Sequence, residues 1–295
     1  MKSYLPLLAL FLLTFETFIS PVNVSATEIV AEANFLEATL AKAYNNQGTI
    51  YYKQGKYDSA EVFFNKAIRL DPNNALAYNN RGLIYYKQGK ANLAEADFDK
   101  AIQLDPNFIL AYNNRGSFYR SQNKLSLAKT DLDKAIQLDP TYALAYNSRG
   151  NLYQSQIKHD LAEADYNYAI KLKPNYPKAY YNRGRLYFEQ NKLNLAEADF
   201  DKAIQLNPNY ALAYGNRGSV YHSQNKYGLA EDNYNYAVKL DPDVAEVYAN
   251  RAVLYAEQGK YDLAKNDVEK AILLFIAQGN ITEAKKIEAK FERLP

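Results

Sequence analysis

The 295-residue chain contains no cysteine, no tryptophan, one methionine and only two histidines, His159 and His222. Without cysteine there is no disulfide, no thiolate metal ligand and no thioether lipid anchor. Two histidines leave too few ligands for a conventional zinc site. Runs of lysine or arginine are missing too. The 35 basic and 33 acidic residues give a formal charge of +2, short of the basic footprint that nucleic-acid binding requires. Glycine and proline are few and fall at fixed intervals, so neither a flexible linker nor a second domain is predicted after Ala41. Apolar residues make up 48%, enough for an ordinary buried core.

What the chain has in place of these is a beat. Pro72, Pro106, Pro140, Pro174, Pro208 and Pro242 recur every 34 residues. A fixed period of this kind marks a solenoid. The unit over 75–108 reads as two helices. Tyr78, Gly82 and Tyr85 stand at i, i+4 and i+7 on one helical face, and Gly89-Lys90 breaks that helix. Ala94, Phe98, Ala101 and Ile102 form a second stripe, ended by Asp105-Pro106, since the residue before proline is pushed out of the α region. One such hairpin cannot bury both stripes, but a stack of neighbours can.

Counting Ala41 as position 1, position 4 is tyrosine in all seven copies, from Tyr44 and Tyr78 to Tyr248, and position 11 is tyrosine from Tyr51 to Tyr255. Positions 20 and 27 are always alanine, as in Ala60 and Ala67, and position 8 is glycine except at Ala252. This pattern resembles the tetratricopeptide repeat over 41–74, 75–108, 109–142, 143–176, 177–210, 211–244 and 245–278. The resemblance implies an all-α fold, a right-handed superhelical solenoid of stacked antiparallel helix pairs. The tyrosines fall at its buried positions and are expected in the core.

The two ends differ from the repeats. Lys2, the apolar stretch from Leu5 to Phe15 and the small residues Val24-Ser25-Ala26 read as a secretory signal peptide over 1–26. The rival, a membrane anchor, has an apolar run too short to span a bilayer, interrupted by Glu16. The expected location is exported, periplasmic or secreted, with no stable membrane insertion after cleavage. Residues 27–40 are predicted as a lead-in helix, or a helical extension running into the first repeat, whose Ile29, Ala33 and Leu36 cover the open end of that repeat. At the other end Ile276 replaces the proline, so the last second helix runs on. A capping helix with a polar outer face is expected over 279–295.

Position 7 carries Gln47, then Arg81, Arg115, Arg149, Arg183, Arg217 and Arg251. Position 23 carries Phe63, then aspartate at 97, 131, 165, 199 and 267, with Asn233 between them. In an antiparallel hairpin, positions 4 and 27 face each other, as do 11 and 20. Positions 7 and 23 therefore lie nearly level, which predicts an arginine–aspartate pair within each repeat. Pairing to the preceding repeat fits worse, and Arg217 is expected to lack an aspartate.

The resemblance places the functional surface on the concave face, lined by the first helices at positions 2, 5, 6, 9, 12 and 13. Position 6 is Asn46, Asn80, Asn114, Asn182, Asn216 and Asn250. Asparagine is a mediocre helix former, and its carboxamide both donates to and accepts from a peptide bond. The row is similar to the asparagine ladder in the tetratricopeptide superhelix of O-linked N-acetylglucosamine transferases. The competing role is a hydrogen bond to water or to a neighbouring helix. Asn79 and Asn113 at position 5, with Tyr52, Tyr86, Arg120, Phe188 and His222 at position 12, complete the expected groove. Lys53 and Lys87 join Lys42 and Arg120 as early basic residues, while Glu189, Glu246 and Glu257 come later, diluted by Lys178 and Arg185. The acidic part of a ligand is expected over the first three repeats. Position 5 is never lysine, unlike the carboxylate-clamp repeats that hold chaperone C-termini.

No glycine-rich phosphate loop, serine–histidine–aspartate arrangement or metal cluster stands out in the sequence, and no cofactor is expected. The expected function is a non-enzymatic binding module for extended segments of other proteins. The alternative is a structural scaffold that joins partners through its convex face or its ends.

Overall fold

In a computed structural model that describes residues 25–292, fifteen helices and no strand are present among the described residues. They fall into two compact units divided after Phe108.

The first unit holds α1 (Ala26–Lys53), α2 (Tyr57–Leu70), α3 (Ala75–Lys87) and α4 (Ala91–Leu104). The hairpins α1–α2 and α3–α4 pack within themselves, and α2 packs on α3. Phe64 and Ile84 fill the space between them, flanked by Tyr51, Tyr52 and Tyr57. Of the two forms expected for the lead-in, the structure has the helical extension, since α1 runs unbroken from Ala26 into the first repeat. Ser25 caps it with a reciprocal capping box. Its hydroxyl accepts from the Glu28 backbone N–H, and the Glu28 carboxylate accepts from the Ser25 backbone N–H at 2.7 Å. That second bond holds the Glu28 carboxyl below the usual carboxylate range. The expected cover over the first repeat does not form: Ile29 and Leu36 are exposed, since residues 26–40 project past the partner helix that would bury them. Of the expected signal peptide, residues 1–24 lie outside the described residues.

The second unit contains α5 (Ile109–Ser121), α6 (Leu125–Leu138), α7 (Ala143–Ser155), α8 (His159–Leu172), α9 (Pro177–Glu189), α10 (Leu193–Leu206), α11 (Ala211–Ser223), α12 (Tyr227–Leu240), α13 (Ala245–Glu257), α14 (Tyr261–Ala277) and α15 (Ile281–Phe291). Hairpins again pair consecutive helices, and the second helix of each repeat packs on the first helix of the next. Helix α14 extends through Ile276, as the missing proline predicts, and α15 packs on it through Ala284, which is buried, and Ile287.

Two local rules explain the hairpins. The second helix stops where an Asp or Asn goes extended and its side chain accepts the N–H two residues on, as at Asp71, Asp105, Asp139, Asn207 and Asp241. The mid-repeat turn needs a left-handed residue, supplied by Gly55, Gly89 and Gly259, by Asn123, Asn191 and Asn225, and once by Ile157.

The glycine at position 8 lets the two helices close. A Cβ on Gly48 would lie 2.7 Å from the Phe64 ring, and one on Gly150 would lie 2.6 Å from the Tyr166 ring. In the last repeat Ala252 stands opposite Val268, so a smaller partner makes room for the methyl group.

Candidate partner-binding surface

The repeated alanine and glycine rows are buried, whereas the tyrosines at position 4, expected in the core, are only half-buried, with the arginine at position 7 lying over them from the second repeat on. Arg81 donates from Nε and Nη2 to both oxygens of Asp97 at 2.7 Å. Arg115–Asp131, Arg149–Asp165, Arg183–Asp199 and Arg251–Asp267 repeat this bidentate pair. The within-repeat pairing expected from register is thus present. It is less exposed than expected, since all five aspartates are buried. Burial lifts the Asp97 and Asp199 carboxyls above their ordinary range against the pull of their arginines.

Each guanidinium also sits over the tyrosines at positions 4 and 11, as Arg149 does over Tyr146 and Tyr153. Its remaining nitrogen reaches position 25 of the preceding repeat: Asn65 for Arg81, Asp133 for Arg149, Asn167 for Arg183 and Asn235 for Arg251. The preceding repeat is therefore engaged as well, at position 25 and not at position 23, where Arg81 would have faced Phe63 and Arg251 Asn233. It gives Arg217 a carboxylate after all, Asp201, while Nε donates to Asn233.

Most of the carboxamides are also tied to neighbouring helices, against the expectation of an open ladder. Asn79, Asn113 and Asn182 are buried. Asn80 Nδ2 donates to Asn45 Oδ1 at 3.0 Å, and its own oxygen accepts from Asn79 at 3.1 Å. Asn182 repeats the link to Asn147 at 2.9 Å. Where position 5 is Tyr181, Asn216 donates to its hydroxyl, and Asn250 reaches back to Ser219. The reason is geometric. Position 5 lies one turn from the buried glycine at position 8, so it faces the neighbouring first helix. Position 6 then becomes the donor that satisfies it. At one junction the series breaks. Ser148 occupies position 6, and the buried Asn113 Oδ1 has no partner.

What remains open on the first helices is chiefly position 13 and, in most repeats, position 2, with position 12 half-buried beside them. In the first unit Lys53, Lys87 and Asn46 are exposed, and Tyr52 and Tyr86 are half-buried. Burial pushes the Tyr52 hydroxyl up, helped by Tyr57 and Tyr86 nearby. In the second unit Asn250 is exposed, and Asn216, Arg120, Phe188 and His222 are half-buried, as is Asn114. Phe188 leans on the core around Phe200. His222 Nε2 lies 2.8 Å from Glu257 Oε2, so the lone groove histidine has a partner in the next repeat. The sequence reading missed a second row. Leu93, Leu127, Leu161, Leu195, Leu229 and Leu263, all at position 19 of the second helices, are each about half exposed. The signal for it was present, since the same apolar residue recurs where no core stripe passes.

Among the described residues no helix is long and apolar enough to cross a membrane, and no cluster of histidine and carboxylate side chains could hold a metal ion.

Comparison with known proteins places these features. Profiles described as TPR repeat match residues 48–89, 116–156 and 218–259. Profiles described as tetratricopeptide repeat match 75–108 and 177–210, 98–130 and 200–232, and 143–176 and 245–275. Together they run without a gap from residue 48 to residue 275, in a stack of helix pairs built for interaction with other proteins. The chain belongs to the tetratricopeptide repeat family. Among solved structures it is similar to a tetratricopeptide repeat protein from Parabacteroides merdae, with 21% identity, 84% of this chain and 98% of that one covered, and a TM-score of 0.63. It is similar to PilF of Pseudomonas aeruginosa, with 21% identity, coverage of 70% and 94%, and a TM-score of 0.57. It is also similar to IFIT1, solved with Gppp-AAAA, with 14% identity, coverage of 86% and 72%, and a TM-score of 0.68. At these identities the likeness is one of fold. A search of curated proteins found no match.

Proposed function

We propose that this chain is a non-enzymatic binding module of an exported compartment that holds extended segments of other proteins on the open face of its first helices. The supporting observation is a division of labour. Positions 4, 7, 8, 20 and 27, nearly constant among the repeats, are spent on the fold. Positions 12 and 13, which change from Tyr52 and Lys53 to Phe188 and Glu189, stay wholly or partly open. The aromatic residues act as anchors and the charges set orientation, with the acidic part of a ligand over Lys53 and Lys87. The carboxamide row contributes only at its open members, Asn46 and Asn250.

A photo-reactive residue at position 87 or 189 of the mature chain should cross-link peptide segments of exported proteins, and Tyr52→Ala with Tyr86→Ala should remove the cross-links. Equal yield from a probe at position 137, on a second helix, would defeat this reading. N-terminal sequencing of the chain recovered outside the cytoplasm tests the export signal.

The leucine row at position 19 favours a second reading, a scaffold that contacts partners through its outer helices. Replacing Leu161, Leu195 and Leu229 with serine should abolish partner recovery in that case and leave it intact in the first.

A further inference from the structure

In later repeats the side of the first helix that carries position 7 is covered by a helix of the preceding repeat. Arg81 on α3 reaches Asn65 on α2, Arg149 on α7 reaches Asp133 on α6, and Arg251 on α13 reaches Asn235 on α12. On α1 the matching side is open among the described residues, since Ala43 and Ile50 are exposed where their counterparts Ala77 and Ile84 on α3 are fully buried. Residues 26–40 prolong that side.

The row on that side reads Ile29, Ala33, Leu36, Leu40, Ala43, Gln47 and Ile50. Its spacing alternates four and three, which is the seam of a coiled coil. Ile29, Leu36, Leu40 and Ile50 are each 40–49% exposed. The helix thus presents a continuous seam of the kind that elsewhere in this chain is filled by another helix.

The charges say which helix. Residues 26–40 contain Glu28, Glu32 and Glu37 and no lysine or arginine. Glu32 and Glu37 flank the seam on its two sides, at the positions that choose partners in coiled coils. A second copy in parallel would set Glu32 of one chain against Glu37 of the other, a like-charge contact. We infer that α1 is a docking helix for a single amphipathic helix of a different protein, with apolar residues in heptad spacing and lysine or arginine on the flanks. This site is separate from positions 12 and 13.

The test uses the full chain and two labelled synthetic peptides of about three heptads. They share an isoleucine–leucine seam, with lysine at every flanking position in one and glutamate in the other. Anisotropy should show the lysine peptide binding at least ~10-fold more tightly, with the margin shrinking as salt rises. Leu36→Asp with Leu40→Asp should abolish that binding without changing the helical melt, because both side chains are exposed, and Leu195→Asp should leave binding unchanged. The inference is overturned if neither peptide binds, if both bind equally, or if the double variant turns a dimer of the chain into a monomer in sedimentation. Recruitment of α1 to phosphatidylcholine vesicles, lost in the double variant, would likewise overturn it in favour of a lipid surface.

Discussion

The first repeat (41–74) and the fourth (143–176) make the same hairpin with different chemistry. In the fourth, Arg149 is clasped by Asp165 of its own repeat and Asp133 of the one before. Hydrogen bonds donated to Asp165 hold its guanidinium firmly charged against the cost of burial. In the first, Gln47 and Phe63 take these places. The Phe63 ring stacks on Tyr51 at 5.2 Å, and Lys66 lies over it. The ion pair itself is made within one repeat, since Arg81, Arg183 and Arg251 keep it while reaching only Asn65, Asn167 and Asn235 of the repeat before. In the first repeat an aromatic plug takes its place. A bidentate, half-buried pair of this type fixes geometry more than it adds stability.

This contrast can be broken most sharply at Asp165. Asp165→Ala leaves Arg149 with only half of its clasp and should cost about 3 kcal/mol, read from urea unfolding. Installing the first repeat's solution, Arg149→Gln with Asp165→Phe, should cost clearly less. If the double exchange is as harmful as the single one, the two chemistries are not equivalent.

Next in size is the close approach of helices. Gly150→Ala pushes a methyl group into the Tyr166 ring and should cost about 1–3 kcal/mol. The penalty should shrink in a Tyr166→Val background, which copies the Ala252–Val268 arrangement of the last repeat.

The rings at position 24 separate the repeats again. The first has Phe64, while the fourth and sixth have Tyr166, whose hydroxyl hydrogen-bonds with the side chains of Asn151 and Gln154, and Tyr234, whose hydroxyl donates to Ser219. Burial pushes the Tyr166 hydroxyl up, and Tyr234 up to about 12. Above the ordinary tyrosine value near 10, the folded chain keeps a proton that the unfolded chain has released. Stability that is complete below pH ~10 should therefore fall as the pH climbs towards 12, by about 1.4 kcal/mol per pH unit for each such group. Urea midpoints measured against pH should show the slope, and Tyr166→Phe with Tyr234→Phe should flatten it.

The smallest effects are gains, of about 1 kcal/mol each. The first repeat turns on Gly55 and the fourth on Ile157, a β-branched residue at φ 58°, so Ile157→Gly should stabilise by relieving the left-handed backbone. The first junction links Asn45 to Asn80, whereas Asn113 faces Ser148 with its oxygen unpaired. Ser148→Asn should complete the link and raise the melting temperature.

Most of the fold was legible because a core that repeats every 34 residues writes itself into the chain. Gly82, Ala94 and Ala101 need no tertiary knowledge to be placed, whereas Tyr78, expected in the core, is only half-buried. The Arg81–Asp97 pair was legible too, because both partners lie in one hairpin whose register can be counted. Asn65 as a second partner was not, since it depends on how one hairpin is offset from the next. Even so, Asp201 sitting ahead of Arg217, the one arginine without its own aspartate, was a usable clue. The groove was misread at position 5. Asn79 is polar and was assigned to the surface, although it stands one turn from the buried Gly82, and burial with a dedicated partner is the alternative open to a carboxamide. The exposed seam of α1 escaped notice because its residues look like a cover when the absence of anything beneath them cannot be seen.

The double clasp of each arginine carries a rule about order. Cutting out the fourth copy would bring Arg183 between Asp133 and Asp199, with charge balance intact. Cutting out the fifth would strand Arg217 between Asn167 and Asn233, a cation with no anion on either hand. Copies that look interchangeable are thus keyed to their neighbours, and lineages of this chain can shorten or lengthen at some joints and not at others.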